Sequence, residues 1–238
     1  MSARSIMASD DSTLVTDDRK AFGVQQVTQV QVNSDLRLLA EGSFADFKVV
    51  CGDREWKTHR AILQRCDYFN TMVSEQSSFL ETSQNIIRIK EFESFEIDWL
   101  LRFIYAGTTS VVQVEDLKSQ TVTGSFFETC VRLFTVGDFF CLPSLRKTAK
   151  SQMEERCSLS IPEAMPQDIQ FLPDLVTGIR AAWSLDRNTG PIRRELIRLC
   201  WDLSQCLGAE PSLVKLLDDI PSFAQDLVKA LLGCPVID

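Results

Sequence analysis

The chain has 238 residues, 45% apolar and 24% charged, which are the proportions of an ordinary globular protein with enough material for a full core. Its 33 acids outnumber its 25 lysines and arginines, and a net charge of −8 argues against nucleic-acid binding unless a basic patch is concentrated somewhere. Arg146, Lys147 and Lys150, and Arg193, Arg194 and Arg198, are the nearest to such patches, but Glu154, Glu155 and Glu195 interleave with them, so they read as solvated helix faces.

The first residues, MSARSIMASDDSTLVTDDRKAFG, contain no uninterrupted apolar run, and no later stretch is long enough to cross a bilayer. The expected location is cytosolic or nuclear, with no membrane partner. In such a compartment the eight cysteines, at 51, 66, 130, 141, 157, 200, 206 and 234, stay reduced. They form no CxxC pair and read as small core residues.

Residues 1–33 read as a polar tail, in which Val24 to Val32 carries valines at strand-like alternation around Val30 and Val32. A lone strand is unstable, so this one needs a partner edge. Asn33 or Ser34 caps a short helix through Glu41, with Leu36, Leu39 and Ala40 turned inward. Phe47, Val49 and Cys51 then alternate as a strand, Gly52-Asp53 signals a two-residue hairpin, and REWKTH returns as the second strand. RAILQRC begins a helix in which Ala61, Ile62 and Cys66 face the core.

IIRIKEF is the third strand. Ser94 caps the next helix, which runs to Tyr105 with Phe95, Trp99, Leu100, Phe103 and Ile104 inward and stops at Gly107. Residues 108–125 read as a loop with an extra strand at Thr109 to Val114. FFETCVRLFTVGDFF is apolar nearly all round and is the central helix; Pro143 opens the next, with Leu145, Ala149, Met153 and Cys157 in one stripe. Residues 158–172 connect to three helices that start near Pro173, Pro191 and Pro211, the last restarted at Pro221. Their apolar stripes are Val176, Ile179 and Trp183; Ile192, Leu196, Leu199, Cys200 and Leu203; and Leu213, Leu216, Leu217, Leu227 and Leu231.

His59 is the only histidine and stands between Cys51 and Cys66. The spacing Cys-x7-His-x6-Cys matches no metal pattern, so a packed or hydrogen-bonded histidine beside two core cysteines is expected. Neither HExxH, GxSxG nor a glycine-rich phosphate loop occurs. The best enzymatic alternative is a cysteine-dependent reaction with Cys66 as nucleophile and His59 as base.

The order ADFKVVCGDREWKTHRAIL, YFNTM, IIRIKEFESFEIDWLLRFIYAG and VRLFTVGDFFCLPSLRKTAK resembles the BTB/POZ domain. The remainder, from FLPDLVTGIRAAW to LVKALLG, is similar to the helical extension of short BTB proteins of filamentous fungi. The resemblance implies an α+β fold, a small sheet with a cluster of helices over 34–157, followed by a 158–172 connector and an all-helical extension at 173–233. It also implies a non-catalytic interaction module that forms a homodimer, with no cofactor, no metal and no catalytic residue. Asp46 and Arg60 map onto a buried charged pocket at the family's dimer interface, and Val30 and Val32 onto its exchanged N-terminal strand. Phe79-Leu80-Glu81 matches the motif with which many members contact a cullin scaffold, and Tyr105 matches a tyrosine of the same face. A ubiquitin-ligase adaptor is therefore one expectation and a dimerising scaffold with an unknown partner the other.

Overall fold

A computed structural model describes residues 34–73, 84–107, 113–159, 171–185, 187–202 and 211–233. The expected strand at Val24–Val32, the Phe79-Leu80-Glu81 motif, residues 109–112, Leu203 and the side chain of Cys157 lie outside the described residues. Among the described residues, no helix is long and apolar enough to cross a membrane.

Helix α1 covers residues 34–41. Leu36 and Leu39 lean on the core with Leu38, but Ala40 is exposed and not inward, because the buried partner on this short helix is Asp35, ion-paired to Arg65 at 2.8 Å. Strand β1, Phe47–Cys51, alternates buried and half-buried residues as expected of a sheet with one covered face. Gly52 turns the chain at a left-handed φ of +57°, and β2, Arg54–Thr58, returns antiparallel. Strand β3, Ile86–Ile89, pairs parallel to β1 on its other side, so the sheet order is β2-β1-β3.

Between β2 and β3 the expected single helix is broken in two. Helix α2, Arg60–Leu63, closes in a turn at residues 64–66 before α3, Asp67–Val73. Ile62 and Cys66 are buried as expected, while Ala61 is exposed: the break removes the continuous helical phase that would have turned it inward.

Helix α4, Ser94–Ala106, carries Trp99, Leu100, Phe103 and Ile104 into the core and ends at Gly107, where φ is +80°. Its cap is Glu93 and not Ser94: the Glu93 and Glu96 side chains each reach the other's backbone N–H, a reciprocal box that places Ser94 one position inside the helix. Val114 opens a short helix, α5 (Val114–Leu117), where a strand was expected. The Gln152 side chain accepts the Val114 N–H at 2.8 Å and starts that turn.

Helix α6, Phe126–Phe139, is the centre of the molecule, with Phe127, Cys130, Val131, Leu133 and Val136 fully buried. Ser125 caps it by accepting the Glu128 N–H at 3.0 Å. Helix α7, Pro143–Leu159, begins at the proline and buries Leu145, Ala149 and Met153 against α6.

Among the described residues four helices follow: α8 (Leu172–Ser184), α9 (Gly190–Asp202), α10 (Pro211–Asp219) and α11 (Pro221–Leu231). Ile179, Ile192, Leu196, Leu199, Leu213, Leu216 and Phe223 fill their shared core, but Leu231 is about half exposed because α11 frays into Leu232 and Gly233 there. Helix α8 lies directly on α6. Asp174, in the first turn of α8, receives the Ser125 hydroxyl and the Phe127 N–H, and Gly178 presses on the Phe127 backbone.

Candidate interaction surface

The turn from α1 into β1 reads Gly42-Ser43-Phe44-Ala45-Asp46. Phe44 is 93% exposed and sits at φ +61°, a left-handed conformation that a bulky L-residue adopts at a cost of roughly 1–2 kcal/mol. Such a conformation persists only where its surroundings over-determine it. Here they do. Gly42 N–H donates to Leu38 O at 2.8 Å, Asp46 N–H donates to Thr58 O at 3.2 Å, and His59 Nε2 meets Ser43 O at 2.7 Å.

His59 is the pin of that loop. Ser43 O can only accept, so Nε2 carries a proton; Tyr105 Oη, 2.8 Å from Nδ1, then donates to Nδ1 and accepts the His59 backbone N–H at 2.9 Å. Tyr105 is fully buried, and burial pushes its phenol up to about 12. The cullin-facing role expected of Tyr105 is thereby corrected: its ring and hydroxyl are turned inward and brace the histidine. Tyr105→Phe is expected to orphan the buried His59 N–H and cost ~1–3 kcal/mol near neutrality. The phenol pKa is raised from 10 on folding, so its contribution is full below pH 10 and is lost as pH rises through about 12. Denaturation midpoints measured from neutral pH upward should fall more steeply for the native chain than for Tyr105→Phe.

Asp46 and Arg60 meet, but not as a buried charge pocket within one chain. Asp46 is exposed, and its Oδ1 accepts the Arg60 backbone N–H at 2.9 Å, capping α2 from the neighbouring strand. The Arg60 guanidinium lies 4.8 Å over the Phe47 ring and donates to Val73 O and to the Asn85 side chain, tying the end of α3 to the start of β3.

The trio around His59 disperses in the same way. Cys51 Sγ donates to Phe92 O at 3.0 Å and Cys66 Sγ to Phe140 O at 3.3 Å, while the imidazole's two nitrogens meet Tyr105 Oη and Ser43 O. Burial raises both thiols above the usual range, and Glu93 adds to the effect at Cys51, so each is held as the less reactive protonated form. With His59 Nδ1 occupied by Tyr105, Cys66 and His59 do not form a nucleophile–base pair.

Phe44 stands at the rim of one of two grooves that share Gly42 and Lys57. One, of about 530 Å³, is lined by Phe44, Lys48, Lys57, Asn85 and Ile86. The other, of about 520 Å³, runs between α1, at Leu36 and Leu39, and the β2 edge, at Arg54 and Trp56. That edge is pinned by Asp98, a buried carboxylate that accepts from Arg54 at 2.7 Å, Trp56 Nε1 at 3.0 Å and Arg102 Nε at 2.6 Å. Phe44 is not among the residues that the sequence marks out for a site. Its only signal is an aromatic in a glycine-bearing turn, outside both the helical stripe before it and the strand alternation after it.

Residues 36–157 match the family model of the BTB/POZ domain. A search of curated proteins finds no match.

Proposed function

Because the chain belongs to the BTB/POZ domain family, whose members are protein-interaction domains, we propose that it works as a module that self-associates and recruits a further protein. Phe44 carries this reading: an almost fully solvated aromatic, fixed by the hydrogen bonds of its loop in a conformation it adopts only at a cost, at the rim of a groove. Among the described residues nothing packs on the ring to any extent. A partner surface would, since burying a phenylalanine side chain is worth ~2 kcal/mol, and in a two-fold interface each residue counts twice.

Phe44→Asp tests this. Aspartate tolerates the left-handed conformation, so folding should hold, while a charge replaces the anchor. Sedimentation of the native chain should give twice the 26.9 kDa chain mass, and the variant should weaken association by roughly a thousandfold, the equivalent of ~4 kcal/mol. A native chain that stays monomeric at about 50 µM, a concentration at which even micromolar dimers form, would defeat the self-association reading.

The narrower reading, an adaptor for a cullin ligase, rests on Phe79-Leu80-Glu81 alone, an apolar anchor followed by a steering acid. Tyr105 is turned inward and braces His59, so it adds nothing to that reading. A cullin amino-terminal domain that fails to bind the full chain would leave the dimerising scaffold.

A further inference from the structure

We infer that the outward face of the three-stranded sheet holds the acidic segment of this same chain at residues 10–18, DDSTLVTDD. The strand register fixes what that face presents. Lys57, Lys48 and Ile86 form one row, and Glu55, Val50 and Arg88 the next. All six side chains are half-buried or exposed, while their neighbours Phe47, Val49, Cys51, Trp56, Thr58, Ile87 and Ile89 point into the core.

Three cations against one carboxylate leave this face at +2 on a chain whose net charge is −8. Lys48 takes the single carboxylate, pairing with Glu55 at 2.7 Å. Lys57 and Arg88 have no carboxylate within ion-pair distance among the described residues, and Lys57 stands directly across the ladder from Lys48, a like-charge pair that weakens the sheet. Between the cations lie Val50 and Ile86, apolar and only half covered, and the groove beside Phe44 opens onto the same row. The face thus asks for an extended ligand with an apolar centre and acidic ends.

Residues 10–18 have that composition: Asp10 and Asp11, then Leu14-Val15, then Asp17 and Asp18, with no cation inside the segment. In an extended chain Asp11 and Asp17 are ~20 Å apart, and Lys57 and Arg88 stand at opposite corners of the face, roughly 12 Å apart at the backbone with side chains that reach outward. Residues 19–33 span up to ~50 Å, against a helix α1 only ~12 Å long that leads back to Gly42 at the groove's rim. Tethering at that range gives an effective concentration near millimolar, so weak complementary contacts suffice. Self-association through Phe44 and α1 borders the same groove, and the test below separates the two by whether a link joins residues of one chain or of two.

Zero-length carbodiimide coupling of the full chain, followed by peptide mapping, tests it at a concentration of about 1 µM, where encounters between chains are rare. Lys57 or Lys48 should be joined to Asp10, Asp11, Asp17 or Asp18, with yield falling at least about tenfold in roughly 0.5 M salt. Lys57→Glu with Arg88→Glu should abolish those links, and adding Asp11→Lys with Asp17→Lys should create the reversed link. The Lys150–Glu195 pair, at 2.9 Å, serves as the internal control for coupling. A coupled Lys150–Glu195 with no link from residues 10–18 to the sheet would overturn the inference. So would links formed only between two chains.

Discussion

Glu96→Ala is expected to cost about 3–5 kcal/mol, the range for removing one partner of a buried ion pair. Glu96 is fully buried, yet it holds two cations: Arg132 at 3.1 Å and Arg187 at 3.0 Å, while also accepting the Glu93 N–H at 2.9 Å. Arg132 keeps a second carboxylate, Glu128, at 2.7 Å. Arg187 does not. Its remaining partners are Glu91 O at 2.7 Å, Thr135 Oγ1 at 3.3 Å and the face of Phe92, 4.0 Å away, so the variant leaves a largely buried guanidinium with neutral contacts only. Because Arg187 lies between α8 and α9 and Glu96 opens α4, the loss also unfastens the carboxy-terminal helices from the sheet-bearing half. Urea denaturation reads the loss. Adding Arg187→Met should recover part of it, since the pair removed together leaves no orphaned charge; a change below about 1 kcal/mol for Glu96→Ala would show that the three groups are not coupled.

The second large effect comes from a single methyl group. A Cβ built on Gly178 falls 2.3 Å from Phe127 Cβ and 3.1 and 3.2 Å from the Phe127 carbonyl carbon and Cα. No rotation of the phenyl ring relieves a contact with backbone, so Gly178→Ala must push α8 off α6 and loosen the most extensive contact of the carboxy-terminal helices. Overpacking of this kind costs ~3 kcal/mol. Intrinsic helix propensity acts the other way, favouring alanine over glycine by ~1 kcal/mol. The sign of the measured change in melting temperature therefore decides between close helix crossing and an independent extension, which would be stabilised.

Both predictions concern the packing of the carboxy-terminal helices on the helices before them, which the apolar stripes of those helices lead one to expect. The individual helices were legible, since Pro143, Pro173, Pro191, Pro211 and Pro221 mark starts and the leucine spacing marks the buried stripes. What joins them was not. Arg187 sits among polar neighbours and looks solvated, Glu96 and Arg132 stand beside apolar residues in separate helices, and no spacing in the sequence brings the three together; a glycine inside a helix pattern reads as a weak point and not as a contact. Errors at Ala40 and Ala61 share another cause: on a one- or two-turn helix, a salt bridge such as Asp35–Arg65 or a break after Leu63 sets the rotation more firmly than alanine's small apolar surface. The strands were the easiest part, because Phe47, Val49 and Cys51 alternate around a glycine turn. Within the site, Asp46 meets Arg60 through a backbone cap, a bond that the two residue types do not announce in the sequence. Tyr105 was placed outward because the motif carrying it says nothing of which way a helix-end tyrosine faces.

The interaction reading is tested most directly by amide hydrogen exchange on the full chain at about 5 µM and about 100 µM, a span that populates a micromolar dimer at the upper end. The expected result is protection that grows with concentration at residues 36–46, covering α1 and the Phe44 loop, with the carboxy-terminal helices unchanged. Protection rising instead along Trp201, Val214, Val228 and Leu231, whose side chains are also substantially exposed, would move the interface to the extension and contradict the role given to Phe44.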